Sequence, residues 1–302
     1  MSVALASVGA GRIIVIGDVM TDVIVIPEGP LVKGSDRRAA IQTRPGGSGA
    51  NQAVWLGSMG AKVSFVARVG ARDKPHLEAY FKGFHVDPVL IADASKPSGM
   101  LVTIVDPDGE RSFLTDRGAN LDLSHSDMPV WLLDDTRLVV VSGYSLFAEL
   151  PRGAVQWMAG EARARGIPVA VDAASVGFVE EVGAGRFLEW TKGFSTLFAN
   201  ADEAAALSGT DDLAAQMRVL GANYDRVVIK LGARGAAVGG ADGVLLQLPA
   251  PSVNVVDTTG AGDAFAAAFL SSELRGEDVE SCLRRGIEAG SAAVQAVGGQ
   301  PD

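Results

Sequence analysis

The stretch Val256–Leu270, VDTTGAGDAFAAAFL, decides how this chain is read. An extended apolar run, Pro249–Val256, leads into a turn of small residues, Thr258-Thr259-Gly260-Ala261-Gly262. The chain then enters a helix with Asp263 in its first turn. A helix N-terminus leaves backbone N–H groups without partners, and the macrodipole adds partial positive charge there. Small residues let an anionic oxygen approach those groups closely. A carboxylate beside such a site repels the anion unless it has a task of its own. Taking the proton from a hydroxyl that attacks phosphorus is such a task, so the stretch points to phosphoryl transfer. The helix start also predicts a low pKa for Asp263, making it a weak base that accepts its proton late.

Working outward, the rest of the chain supplies an α/β frame. Arg12–Gly17 is a continuous apolar run, as for a strand buried on both faces, and it ends beside Asp18 and Asp22. From Arg137 onward strands alternate with helices: Leu138–Val141, Arg152–Arg165, Ile167–Val171, Thr196–Phe198, a helix around Asp202–Leu207, and Arg226–Leu231. Helices over Ala261–Leu274 and Val279–Val297 follow. This alternation predicts a mainly parallel sheet flanked by helices, and ligands of such sheets bind at strand C-termini. Two β pieces do not fit inside it: Val23–Ile26 with Arg38–Arg44, and Ser98–Ala119, which alternates around the turn signal Asp106-Pro-Asp-Gly109. They are expected to form a small sheet, drawn from about 23–44 and 98–119, that projects over the site. With 302 residues and no low-complexity linker, a single domain over 1–302 is expected.

Composition narrows the partners. A net charge of −10 argues against a broad nucleic-acid or anionic-membrane footprint. No apolar run is long enough to span a bilayer, and MSVALASVGAG lacks a basic leader region. The single cysteine, Cys282, lies in an amphipathic pattern and reads as a packed small hydrophobe in a reducing compartment. The expectation is a cytoplasmic protein.

The commoner nucleotide motifs fail. GxxxxGK[ST] is absent, Gly260-Ala-Gly262 lacks the third glycine of GxGxxG, and His76, His85 and His125 are not spaced as metal ligands. The combination of DTTGAGDAF with GGSGANQAVWLGSMGAKVSFVARVG, however, resembles both signature regions of the ribokinase-like (PfkB) carbohydrate kinases. The resemblance covers essentially the whole chain. It implies a three-layer ribokinase-like sandwich with a β-sheet lid, and ATP-dependent phosphorylation of a primary hydroxyl on a small sugar.

The resemblance also implies roles. Asp263 matches the base, and the backbone N–H groups of Gly260, Ala261 and Gly262 match the anion hole for the phosphoryl group. Asp22, Gly46, Gly47 and Asn51 match the sugar-binding wall; carboxylates and amides suit vicinal hydroxyls. Lys230 and Gly232 fall where the family wraps nucleotide, though Lys230 reads equally well as a solvated strand-end residue. Asn200 and Glu203 match the NxxE motif that organises Mg²⁺ through water, and the same pair reads as a helix capping box. Asp257 and Thr259, with carbonyls near Ala293, Ala296 and Gly298, match a monovalent-cation (K⁺) site. Some positions depart from the pattern. Ser48 stands where ribokinases of the GGKGAN type carry lysine, GARDKPH replaces GDDxxG, and Ser142-Gly-Tyr144 replaces a sugar-binding Glu region. Arg111 and Arg117 are the candidates for a charged substrate. The alternative acceptor is a nucleoside, with Tyr144 or Phe147 stacking the base. A sugar-binding regulator without catalysis is disfavoured, since it needs no proton acceptor. A homodimer through the lid is expected.

Overall fold

The computed structural model describes residues 11–105 and 111–301. The chain begins as β1 (Arg12–Ile16), leaves for a side sheet as β2 (Met20–Pro27) and β3 (Ala39–Gly46), and returns through α1 (Ser48–Ser58), β4 (Val63–Gly70), α2 (Lys74–Gly83) and β5 (Val86–Asp93). A second excursion, β6 (Gly99–Val105) and β7 (Arg111–Asp116), completes the side sheet. Then follow β8 (Thr136–Ser142), α3 (Glu149–Ala164), β9 (Val169–Asp172), α4 (Val176–Val182), α5 (Ala184–Trp190), β10 (Thr196–Asn200), α6 (Ala201–Ser208), α7 (Leu213–Gly221) and β11 (Arg226–Lys230). The last elements are β12 (Ala236–Gly240), β13 (Gly243–Leu248), α8 (Ala261–Leu274) and α9 (Val279–Ala293).

The main sheet has nine strands in the order β13-β12-β11-β10-β9-β8-β1-β4-β5. All pairs from β5 to β11 are parallel, while β12 and β13 pair antiparallel at one edge. Because side chains alternate across a strand, β1 feeds two cores. Ile14 and Ile16 pack with α3 to α7, whereas Ile13 and Val15 pack with α1, α2, α8 and α9. Helix α8 is apolar all round, and Ala264–Ser272 are buried. Phe265 and Phe269 sit edge-on to Phe198 of β10. On its other side α9 comes close: a Cβ added at Gly286 would lie 3.0 Å from the Phe265 ring, and one at Gly290 would lie 3.2 Å from the Ala261 carbonyl. The helix that carries Asp263 is therefore held on several sides.

The side sheet runs β3-β2-β6-β7, with Asp22 opposite Arg44 and Leu101. It extends slightly beyond the expected lid boundaries. The turn at 106–109 lies outside the described residues, and the flanking strands pair from Val105↔Arg111 onward. Asn120 joins this sheet to the core, accepting from Val19 N at 2.9 Å and donating to Val19 O at 2.9 Å.

Three expectations are corrected. Pro249–Val256 forms no strand; it crosses as a loop from β13 to α8, with Val255 and Val256 exposed. Ala53–Met59 reads from the sequence as a helix stopped at Gly60, but α1 begins already at Ser48, because Gly47 adopts φ 95° and turns the chain directly into the helix. Four elements were not anticipated: β5, α4, α5 and α7. The short helices α4 and α5, seven residues each, are too brief to show a helical period.

Candidate active site

Asp263 is 8% exposed, and three side chains of α1 donate to its carboxylate. Ser48 Oγ reaches Oδ1 at 2.7 Å, Gln52 Nε2 reaches Oδ1 at 3.1 Å, and Asn51 Nδ2 reaches Oδ2 at 2.9 Å. Residues 48, 51 and 52 share one helix face because they lie three and four apart. That face reaches Asp263 because α1 is seated tightly: a Cβ at Gly49 would lie 2.5 Å from the Gly17 Cα.

The turn ahead of α8 is set by Gly260 at φ 71°, a left-handed conformation open to glycine. Its missing Cβ also matters, since one placed there would lie 2.3 Å from the Gly299 Cα. Ala264 N is the first amide to bond back to the turn, to Gly260 O at 2.9 Å, and Ala261 N makes only a long contact to Thr258 O at 3.4 Å. The N–H groups of Gly260, Gly262 and Asp263 have no acceptor among the described residues. They are the orphan donors of a helix start, beside a carboxylate.

The low pKa expected for Asp263 is overturned. Burial raises it from 3.8 to about 7, the negative charge of Asp172 adds to that, and the bonds from Ser48 and Asn51 with the charge of Lys230 only partly offset it. Desolvation outweighs the helix terminus here.

Lys230 is not a solvated strand-end residue. It ends β11 beneath Gly262, where an added Cβ would lie 2.9 Å from Nζ, and it pairs with Asp172 Oδ2 at 2.6 Å. Burial pulls its pKa down, but Asp172, Glu203 and Asp263 outweigh this and hold it above its ordinary value. Asp172, which no motif singles out, closes β9 next to Lys230; its one sequence signal is its place at the end of an apolar strand. Gly232 has φ 60° and opens a short turn after β11, with nothing near its missing Cβ.

Asn200 and Glu203 do form the capping box. Glu203 N donates to Asn200 Oδ1 and Asn200 N to Glu203 Oε2, both at 2.8 Å. Burial, followed by the charge of Asp172, raises Glu203 to about 7. Asp257 clasps two loops: Oδ1 accepts from Thr259 N and Oγ1, at 3.0 and 2.8 Å, and Oδ2 accepts from Gly298 N at 3.1 Å.

On the lid side, Asp22 is buried and its Oδ1 has no partner among the described residues. Burial, then the charges of Asp18 and Asp257, raise it to about 6. Its other oxygen lies where a Cβ on Gly46 would sit, 2.2 Å away, two residues ahead of Ser48. Gly47 backs onto the Asp18 carbonyl, at 2.7 Å from its missing Cβ. Asp18 itself ties the loop, accepting from Gly49 N at 3.2 Å and Ser142 Oγ at 3.0 Å. Arg117 stacks over the Tyr144 ring at 5.1 Å, and burial with the charges of Asp18 and Asp263 pushes that phenol up. Phe147, half-buried, stacks instead on Phe178 and Phe187 against the side of the core. Ser48 and Gln52 as partners of Asp263 are legible only once α1 is placed.

The architecture is the ribokinase-like α/β fold, a mainly parallel sheet with a smaller lid sheet. A profile described as pfkB family carbohydrate kinase matches residues 10–302. A ribokinase from Arabidopsis thaliana is 30% identical over 308 residues, covering 97% of this chain and 78% of the relative. Its structure, complexed with ribose and ATP, aligns with a TM-score of 0.80 at 27% identity, covering 97% of this chain and 96% of that one. A cytidine kinase from Thermococcus kodakarensis is 29% identical over 283 residues, covering 91% of this chain and 93% of the relative. A probable sugar kinase from Rhizobium etli has a TM-score of 0.86 at 23% identity over 97% of this chain and 95% of that one, a likeness of fold. The chain belongs to the PfkB family of carbohydrate kinases. Among the described residues no helix is long and apolar enough to cross a membrane.

Proposed function

We propose that the protein transfers the γ-phosphoryl group of ATP to a primary hydroxyl of a small sugar. The observation that carries this reading is Asp263, held by three donors of α1 beside backbone N–H groups that have no acceptor among the described residues. Asp263 takes the hydroxyl proton as the sugar oxygen attacks. The N–H groups of Gly260 and Gly262, with that of Asp263 and a weakly engaged Ala261 N–H, then stabilise charge on the group in transit. Asp22 Oδ1, a buried acceptor without a donor among the described residues, suits a sugar O–H, and Gly46 and Gly47 let the ring approach the backbone. Asn51 keeps one N–H and one lone pair for the sugar after its bonds to Asp263 and Gln300.

Lys230 and Gly232 line the nucleotide side. The buried carboxylates Asp172 and Glu203 share one lysine and raise the Glu203 pKa, a hard-oxygen set that a divalent cation would relieve. This fits Mg²⁺, which takes few protein ligands and keeps its waters. Glu203 would hold it through water, with Asn200 fixing the carboxylate. When bound, the ion neutralises charge on the phosphates. The Asp257–Thr259 clasp against Gly298 is where K⁺ activation would originate.

ATP-coupled turnover across pentoses, hexoses and nucleosides, with and without K⁺, tests the reading, and turnover on a sugar is expected. The nucleoside reading stays second because its stacking residues are engaged, Tyr144 by Arg117 and Phe147 by Phe178 and Phe187. Since a general base must be ionised, kcat/KM should rise with pH through about 7, the value for Asp263 in the free protein. A profile flat from pH 5 to 9 would contradict Asp263 as base.

The lid leaves Ile41 and Leu114 exposed on one face, and that face is proposed to pair two copies. Light scattering is expected to give a dimer, and Ile41→Asp with Leu114→Asp a monomer; a monomeric wild type rejects the pairing.

A further inference from the structure

Gln300 lies far from Asn51 in sequence, yet its Nε2 donates to Asn51 Oδ1 at 3.0 Å. Asn51 Nδ2 in turn donates to Asp263 Oδ2 at 2.9 Å. At the other end, the Tyr80 O–H of α2 donates to Gln300 Oε1. The segment around Gln300 is fixed from several directions. Trp55 Nε1 bonds Gly299 O at 2.9 Å, Gly298 N bonds Asp257, and Arg44 Nη1 bonds Val297 O at 2.8 Å. A Cβ on Gly299 would lie 2.5 Å from Asn51 Nδ2, so the strand of chain presses directly on the amide.

We propose that Gln300 is a positioning residue that fixes the orientation of the Asn51 amide and thereby keeps Asp263 in its ionised form. The inference rests on the reading of Asp263 as base and extends it to a residue that does not touch Asp263. An amide has two unlike ends, and each link in this chain uses one of them. Tyr80 donates to the Gln300 oxygen, which turns the Gln300 nitrogen toward Asn51. That nitrogen claims the Asn51 oxygen, which turns the Asn51 nitrogen toward Asp263. A carboxylate is stabilised by a donor there. A protonated carboxyl facing the same oxygen pair needs an acceptor instead, and Asn51 can offer Oδ1 only by rotating out of its bond with Gln300. A proton on Asp263 Oδ2 therefore breaks or reverses the chain, and only Oδ1, where the Ser48 hydroxyl can rotate to accept, is left as a site for it.

The other groups that face Asp263 are Ser48 and Gln52 from α1, Asp172 from β9, Lys230 from β11 and Tyr144 after β8, with Glu203 of α6 acting on Lys230. None of them is altered by Gln300→Ala or Tyr80→Phe, which consequently report on the amide chain, whereas Gln300→Glu adds a charge that acts in the same direction as the reoriented amide.

The test is NMR of the Asn51 side-chain amide in the substrate-free protein as a function of pH, in wild type, Gln300→Ala, Gln300→Glu and Tyr80→Phe. Gln300→Ala should raise the midpoint by about one pH unit, because the flipped amide is no longer opposed. Gln300→Glu, though nearly isosteric, should raise it further: a carboxylate can only accept, so it draws the Asn51 nitrogen away from Asp263. Packing alone predicts the reverse order, with Glu milder than Ala. Tyr80→Phe should give a smaller shift in the same direction and carries the test should the Gln300 variants not fold. In turnover, the deficit of Gln300→Ala should be about fivefold at pH 7 and recover above pH 9, in kcat more than in KM. Unmoved midpoints in all three variants overturn the proposal while leaving Asp263 as base untouched. Conversely, shifted midpoints in a protein whose Asp263→Asn variant turns over normally reject the base and leave the amide chain standing.

Discussion

Asp263→Asn is expected to lose turnover by roughly 10²–10⁴-fold and yet to melt at a higher temperature than wild type above pH 7. The two effects share one cause. Burial and the neighbouring Asp172 hold the Asp263 carboxyl at about 7, against 3.8 ordinarily. A group whose pKa is raised on folding favours the native state only where it is protonated. The native protein is therefore progressively destabilised as pH rises from near 4 through about 7. Asparagine removes the charge and with it that penalty, a gain of roughly 1–3 kcal/mol at pH 8. The gain is incomplete, since one amide oxygen cannot satisfy the three donors that converge from Ser48, Asn51 and Gln52. It should vanish below pH 4, where the carboxyl is protonated in both states. Thermal melts at pH 4 and pH 8, run beside turnover on the best acceptor, check both halves. Sugar binding, proposed above to rest on Asp22 and Asn51, should survive. Turnover within a few-fold of wild type contradicts the role of Asp263, and a melting temperature lower at pH 8 than wild type contradicts the electrostatic account.

Lys230→Met should act in the opposite sense on stability. The lysine is 15% exposed at its side chain and pairs with Asp172 at 2.6 Å, close to Glu203. Without it, two buried carboxylates face each other with no cation. Breaking a buried pair from one side costs about 3–5 kcal/mol. Because the penalty falls on ionised carboxylates, the deficit should be largest above pH 7 and shrink toward pH 5 as Glu203, already raised to about 7, takes a proton. Chemical denaturation of wild type and Lys230→Met at pH 5 and pH 8 measures this. A deficit independent of pH assigns the loss to packing instead. The apparent KM for ATP should rise as well, since Lys230 is the one cation that reaches Gly262 among the described residues.

What the sequence made legible follows from the range of each signal. Most strands of the main sheet are apolar runs, and the lid strands alternate about a turn, so these were readable locally, whereas β5, interrupted by Asp87 and Pro88, was not. Helices α4 and α5 were not, because seven residues give too little period. Asp263 and the glycines before it were legible because a turn of small residues into a helix has chemical meaning by itself. Its pKa was misjudged because burial depends on what packs above it, here α1, and the helix terminus alone gave the wrong direction. Asp172 and Lys230 become a pair only when β9, β10 and β11 lie side by side, with Phe198 opposite Asp172 and Asn200 opposite Lys230. Gln52 was hidden in the same way: its spacing from Ser48 marks a common face but not what that face meets.

The contact between Gln300 and Asn51 spans 249 residues of chain, and the bond from Trp55 to Gly299 spans 244. Such closures are late events in folding, because the intervening loop must be ordered before they reward the chain. On the ribosome, α1 and the lid emerge long before the residues that lock them. A nascent chain can thus present a sheet and an unfinished pocket without a fixed Asn51. Competence to do chemistry should arrive abruptly, after the bulk of the sheet is already protected from exchange.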